Sequence, residues 1–285
     1  MSRTLRLRAP AKVNLTLEVL GERPDGYHEL ASVMATIALA DDVRVAPARA
    51  LDITIRPDIG AAPGEDLASR AVRALASALR REPRAHVLVR KRIPVAAGLG
   101  GGSSDAGAVL RALARLWRAG DVDLVRIAAQ VGSDVPFFAA GCAVARVGGR
   151  GERVSPLPAP DPELWIVLVT LPARVATRDV FALLAGRRSG GGATLELAHD
   201  LRRGAATPAR IRALARNDLT GAAERACPAV ARASATAERL GIDQVVSGSG
   251  PSLFGIADDR AHAIRMSRRL RRAGLRARPL ALAGV

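Results

Sequence analysis

Pro94-Val-Ala-Ala-Gly98-Leu99-Gly100-Gly101-Gly102-Ser103-Ser104-Asp105-Ala-Gly107 places four glycines at 98, 100, 101 and 102. Without a Cβ, glycine takes φ > 0 and lets backbone amides approach a ligand closely. Ser103, Ser104 and Asp105 follow, all residue types that cap a helix start. Beyond them Val109, Leu110, Leu113 and Leu116 recur at helical spacing, and ahead of the loop His86-Val-Leu-Val-Arg90 alternates as a strand does. A strand therefore leads into a glycine loop that opens a helix. The free amides and positive dipole end of such a helix suit a phosphate.

Three familiar phosphate loops fail against these letters. A Walker loop needs a Lys after its glycines, and none follows here. A dinucleotide fingerprint begun at Gly98 requires Gly where Ser103 stands. The protein-kinase tripeptides His-Arg-Asp and Asp-Phe-Gly are absent.

The stretch resembles the second motif of the GHMP kinases, small-molecule kinases named for galactose, homoserine, mevalonate and phosphomevalonate. Their pattern is Pro, three residues, then Gly-Leu-Gly-Ser-Ser. The triple glycine is typical of the branch acting on diphosphocytidyl-methylerythritol. The resemblance implies that Pro94, Ala96, Ala97, Gly98, Leu99, Gly100, Gly101, Gly102, Ser103, Ser104 and Asp105 wrap the phosphates of ATP, with Ser104 near Mg²⁺.

At 285 residues the chain can bury a large core in one or two domains. It has no apolar run of about 18 residues, the length a transmembrane helix needs, and its first residues lack a signal peptide's apolar block. Cys142 and Cys227 form neither a metal pattern nor a disulfide framework. They read as small core residues of a cytoplasmic protein. A net charge of +16 raises the alternative of a basic nucleic-acid-binding module. The basic residues are dispersed, however, and stacking aromatics are few, so the expectation is no nucleic acid and no membrane. Of 43 Lys plus Arg only Lys12 and Lys91 are lysine, so the excess is arginine bias. Against that bias a lysine marks a position suited to a compact ammonium.

Residues 3–20 alternate as one strand or two, interrupted near Pro10, with Lys12, Asn14, Thr16 and Glu18 on one face. Pro24 and Asp25-Gly26 mark a turn. Tyr27, the only tyrosine, and His28 follow it, a flat ring beside a hydrogen-bonding imidazole. Ala11-Lys12-Val13-Asn14-Leu15 and Arg23-Pro24-Asp25-Gly26-Tyr27-His28 resemble the opening of that same branch. By resemblance, Lys12 sits at the hydroxyl that receives the phosphate, with Asn14 close by. Tyr27 stacks on the cytosine, His28 bonds its edge, and Phe181 closes its other side. Asp66-Leu67 stand where the family has Asn-Leu beside the adenine, which leaves the adenine contacts open, with Lys91 a weak candidate to compensate.

Short strands are expected over 33–39, 43–48 and 51–56, and a helix over 65–80 with Leu67, Ala71, Ala74, Leu75 and Leu79 on one face. After a helical pattern at 124–131 comes Gly132-Ser133-Asp134-Val135-Pro136-Phe137-Phe138. Asp134 alone reads equally as a cap; the matching family stretch makes it catalytic, while Asp105 fits helix capping. A strand pair over 141–154 turns at Gly148-Gly149. Prolines at 156, 158, 160 and 162 mark a junction, a buried strand spans 164–170, and a short helix spans 177–184. Residues 187–193 read as a mobile loop. A helix starts at Asn217-Asp218-Leu219, and Ser247-Gly248-Ser249-Gly250-Pro251-Ser252 resembles the family's third motif, placing Gly248, Ser249 and Gly250 at the acceptor. A basic helix over 259–273 and a strand over 276–282 close the chain.

The family fold is α+β, a two-domain GHMP kinase fold: an N-terminal mixed-sheet ATP-binding domain (1–155) and a C-terminal ferredoxin-like α/β sandwich domain (163–285). The reaction implied is phosphorylation of the 2-hydroxyl of 4-diphosphocytidyl-2-C-methyl-D-erythritol, in the non-mevalonate route to isoprenoid precursors. Its cofactors are ATP and Mg²⁺, and the enzyme is a monomer or weak homodimer. A GHMP kinase for homoserine or a mevalonate derivative is the alternative.

Overall fold

A computed structural model describes residues 4–60, 62, 64–161, 163–184 and 189–283. Its first feature is a long antiparallel ribbon of β1 (Leu5–Glu22) and β2 (His28–Ala46). Pro10 does not break β1; the register shifts between Pro10 and Ala11 and the strand continues, as a bulge allows. The two strands expected at 33–39 and 43–48 are likewise one. Asp41 and Asp42, which read as turn formers, lie within β2, and Asp41 is fully buried.

Strand β3 (Asp52–Arg56) runs parallel to β4 (His86–Arg90), joined through α1 (Leu67–Ala78), and β4 pairs with the far half of β2. The buried face of α1 is turned from the expected one: Ala68, Val72 and Ala76 join Ala71 and Leu75 in the core, while Leu67, Ala74 and Leu79 stay half-covered. Next come α2 (Gly101–Leu116), α3 (Leu124–Ala128) and α4 (Val135–Ala139). Gly107 lets α2 and α4 meet, since a Cβ there would lie 2.5 Å from that of Phe138. The hairpin β5 (Val144–Gly149) and β6 (Arg153–Leu157) adds to the near half of β2. Pro156 belongs to β6, tolerated because β6 is an edge strand; Pro162 lies outside the described residues.

The second half begins with β7 (Trp165–Thr170) and α5 (Thr177–Ala182). Of the loop expected over 187–193, residues 187 and 188 lie outside the described residues. Ser189 donates to the Val19 carbonyl, and Gly192 already opens α6 (Gly192–Arg202). Then follow α7 (Pro208–Leu214), β8 (Arg216–Asn217), α8 (Thr220–Ala226) and α9 (Pro228–Arg239). The chain ends with β9 (Val245–Val246), β10 (Leu253–Ala257), α10 (Arg260–Arg272) and β11 (Arg276–Ala281). Strands β11, β7, β10 and β9 form, in that order, a fully antiparallel sheet. With its helices this is the βαββαβ arrangement of a ferredoxin-like unit.

Apolar side chains of both halves meet in one core. Val13, Leu15 and Ile37 of the ribbon pack with Ile166 and Leu168 of β7, Leu197 of α6 and Leu99 of the glycine loop. Polar contacts cross the same seam. β8 runs parallel to β1, and the buried Glu18 carboxylate accepts from the Thr194 amide (2.8 Å) in the first turn of α6, a cap supplied from 176 residues away.

Candidate active site

The glycine loop lies between the two halves. Ala96, Gly98 and Gly100 all hold φ between 53° and 72°, an alternation of left-handed residues of the kind that turns amides into an anion-binding concavity. Helix α2 starts directly after Gly100, so Ser103, Ser104 and Asp105 do not cap it; they lie inside it. The Gly101, Gly102 and Ser103 amides are therefore the free first-turn donors, and the two glycines leave them accessible. Leu99 contributes backbone and anchorage: its side chain is buried, and its carbonyl accepts from the Lys12 amide at 3.0 Å.

The face of β1 that carries Lys12, Asn14, Thr16 and Glu18 is buried. Lys12 is 3% exposed, and its Nζ donates to Asn14 Oδ1 at 2.6 Å. Asn14 Nδ2 donates to Ser32 Oγ (2.9 Å), whose hydroxyl donates to the Thr16 carbonyl (2.6 Å). That chain fixes the Asn14 amide and so aims the ammonium. Asp134 precedes α4 but makes no side-chain cap bond; its Oδ2 lies 3.5 Å from Lys12 Nζ and it remains 37% exposed. A buried cation and a partly exposed carboxylate thus form an ion pair at the cavity wall.

The loop after β9 closes this corner. Gly248 is close enough that a Cβ there would sit 3.2 Å from Lys12 Nζ. Asn217 donates to the Val246 and Gly248 carbonyls (both 2.7 Å), while Ser249 shares a 3.0 Å hydrogen bond with Thr177 of α5. Asn217 lies in β8, just ahead of the expected helix start, and its Oδ1 accepts from the Leu219 amide where α8 opens.

A cavity of about 1150 Å³ runs past all these groups. Its lining includes Lys12, Asn14, Asp134, Gly248, Ser249 and Gly250, and the loop residues from Pro94 to Ser103. It also includes Tyr27, His28 and Phe181; the His28 and Phe181 rings are 4.8 Å apart, and Tyr27 is half exposed. Asp105 reaches the lining, whereas Ser104 is buried, not on the cavity wall, with a hydroxyl that has no partner. No cluster of three or more His, Cys, Asp or Glu suited to a metal occurs among the described residues, and no helix there is long and apolar enough to cross a membrane.

Comparison with known proteins resolves the family. The description "GHMP kinases N terminal domain" matches residues 66–142 and "GHMP kinases C terminal" matches 197–275. The chain is 38% identical to 4-diphosphocytidyl-2-C-methyl-D-erythritol kinase of Shouchella clausii, over 93% of this chain and 90% of that protein. To the enzyme of the same name from Gloeobacter violaceus it is 41% identical, over 92% and 88%. The chain belongs to the GHMP kinase family. A crystal structure of 4-(cytidine 5'-diphospho)-2C-methyl-D-erythritol kinase superposes with a TM-score of 0.77 at 37% identity, covering 99% of this chain and all of that one. Homoserine kinase from Cytophaga hutchinsonii superposes at 0.73, over 99% and 95%, but at 18% identity that likeness concerns fold alone. As a GHMP kinase the chain is an ATP-dependent small-molecule kinase.

Behind the loop of this GHMP kinase lies a group of charges that short-range sequence reasoning missed. Lys91 Nζ lies 2.5 Å from both Asp41 Oδ2 and Asp105 Oδ2. Lys91 is therefore committed to this pair and does not compensate for Asp66, which instead caps α1 through the Ser69 amide (2.8 Å). Burial pulls the Lys91 ammonium down, but Asp105 and Asp41 outweigh it and hold it above its ordinary value. Burial pushes the Asp105 carboxyl up to about 7, with Asp41 adding to the rise and Lys91 opposing it. The pairing of β2 with β4 brings Asp41 to Lys91, and helix α2 brings Asp105 to both, so no spacing announces them.

Proposed function

We propose that this chain transfers the γ-phosphate of ATP to the 2-hydroxyl of 4-diphosphocytidyl-2-C-methyl-D-erythritol, a step toward isoprenoid precursors by the non-mevalonate route. One observation carries the reading: a single cavity is lined both by a phosphate-type helix start beside Lys12 and Asp134, and by Tyr27, His28 and Phe181. The first set suits a phosphoryl transfer. The second offers rings and an imidazole to a pyrimidine base.

Phosphoryl transfer leaves the protein mainly positioning and charge stabilisation. The Gly101–Ser103 amides and the positive end of α2 hold the donor phosphates. Asp134 accepts the hydroxyl proton of the acceptor, and Lys12 lowers that hydroxyl's pKa and steadies the transferring phosphoryl. A general base contributes about 10²–10⁴-fold, and alignment of donor and acceptor on the order of 7–11 kcal/mol. Tyr27 stacks on the cytosine, His28 bonds its edge, and Gly248–Gly250 leave room for the acceptor. Magnesium, when bound with ATP, would neutralise phosphate charge. Ser104, the residue that the resemblance puts near such an ion, is buried off the cavity wall, so Asp134 is the carboxylate of this site open to it. ATP as donor supports a cytoplasmic setting, and the ferredoxin-like sheet supports a second domain within 163–285, while β6 carries the first sheet to Leu157, past a limit of 155.

ADP release from Mg-ATP with the cytidyl acceptor, beside parallel wells of homoserine and mevalonate, tests the reading. Turnover with the cytidyl acceptor alone is expected. Turnover with another alcohol and not with it would overturn the proposal.

A further inference from the structure

The turn between β5 and β6 presses on the stretch that carries Asp134. Gly151 has φ of 132°, and a Cβ there would lie 2.0 Å from the Ser133 carbonyl oxygen, so only glycine lets the turn seat so closely. Between the turn's glycines stands Arg150, which also lines the cavity. Its guanidinium carbon lies 5.0 Å from the centroid of the Tyr27 ring, within cation–π range. Its backbone amide donates to Glu152 Oε2 (2.8 Å) and one guanidinium nitrogen to the Ala129 carbonyl (3.3 Å).

None of these bonds neutralises it. Among the described residues no carboxylate forms an ion pair with the Arg150 guanidinium; Asp25 feels its charge from farther off but is bonded to Arg23. Arg23 holds Asp25 at 3.1 Å and Glu29 at 3.0 Å, and reaches Glu152 at 3.8 Å. In a chain so rich in arginine the residue type says little; its placement says more. An unpaired, half-buried guanidinium sits between the ring assigned to the base and the turn packed on Ser133, next to Asp134. A planar fork there matches phosphate oxygens in a way an ammonium does not.

We propose that Arg150 is a further specificity-determining residue, binding the diphosphate of the acceptor while its guanidinium backs the Tyr27 ring. This rests on the function proposed above and extends it from the base to the anion that follows it. The donor phosphates have their own amides at α2, so Arg150 serves the acceptor and leaves ATP untouched.

Binding of cytidine and of cytidine diphosphate is compared in wild type, R150A and R150K, with KM for ATP and for the acceptor measured in parallel. In R150A, loss of a charge-assisted contact weakens the diphosphate by about 10–100-fold, and the acceptor KM rises alike. Cytidine and ATP change less than about three-fold. R150K keeps the charge, loses the fork, and falls between. Equal weakening of cytidine and cytidine diphosphate would overturn the proposal and leave Arg150 as a prop for Tyr27. Unchanged binding of both would make it a surface arginine, and a rise in ATP KM would assign it to the donor. Should R150A fail to fold, R150K and R150Q carry the same comparison. Absence of wild-type turnover with the cytidyl acceptor would instead overturn the proposed function, which the Arg150 result alone does not touch.

Discussion

The Ser247 hydroxyl donates to the Gly98 carbonyl at 2.9 Å, joining two glycine loops that lie 149 residues apart. Gly98 also sits so close to its partner that a Cβ would fall 2.1 Å from the Ser247 carbonyl oxygen. The donor loop is thus braced by the same segment that brings Gly248 to Lys12. Gly98→Ala adds left-handed strain of about 1–2 kcal/mol to a backbone clash. We expect a loss of roughly 2–5 kcal/mol in urea unfolding, with ATP KM raised. Full stability and unchanged ATP KM would show that the loops do not meet in solution.

Asp105 gives the protein a pH signature. Its folded carboxyl titrates near 7 against an ordinary 3.8, so between those values the folded state holds a proton that the unfolded chain releases. Stability contributed by this group therefore falls as pH rises from about 4 to about 7. D105N keeps an oxygen for Lys91, leaves Asp41 as the single counter-ion, and removes the titration. At pH 8 D105N should be more stable than wild type, on the order of a few kcal/mol, with the difference vanishing near pH 4. Urea midpoints across that range measure it. Equal destabilisation of D105N at every pH would contradict the assignment.

Lys12 and Asp134 separate by kinetics. Lys12→Met should lower kcat by about 10²–10³-fold while ATP binding stays within a few-fold. Asp134→Asn, which preserves volume, should lower kcat by about 10²–10⁴-fold. Turnover of the Asp134 variant within a few-fold of wild type would remove it as the base. Loss of ATP affinity in the Lys12 variant would make that lysine a nucleotide ligand.

Tyr27→Ala removes a half-exposed ring, so stability should barely change. Loss of base stacking worth about 1–3 kcal/mol predicts a 5–150-fold rise in acceptor KM with ATP KM unchanged. A change confined to ATP would exchange the two nucleotide pockets.

What was legible in the sequence was local. The glycine loop, the strand before it, Tyr27-His28 and the order of the three motifs each announce themselves within a few residues. Asp41 shows what was not: an Asp-Asp pair reads as a turn, yet β2 runs through it because Lys91, 50 residues on, takes its charge. The start of α2 was misread because Ser and Asp usually cap, whereas here left-handed Gly100 turns the chain and spends no side chain on it. Thr207-Pro208, a cap followed by a first-turn proline, did signal α7 and passed unread. Glu18 capping α6 and Arg150 over Tyr27 depend on the tertiary fold and have no local signature.

The most direct test of the central claim is phosphorus NMR of the product made from Mg-ATP and the cytidyl acceptor labelled with ¹³C at carbon 2. The account predicts a new phosphomonoester resonance coupled to that carbon, with both diphosphate signals retained. A new phosphate split by protons on its own ester carbon, which carbon 2 lacks, or an added phosphate in the diphosphate chain, would contradict it.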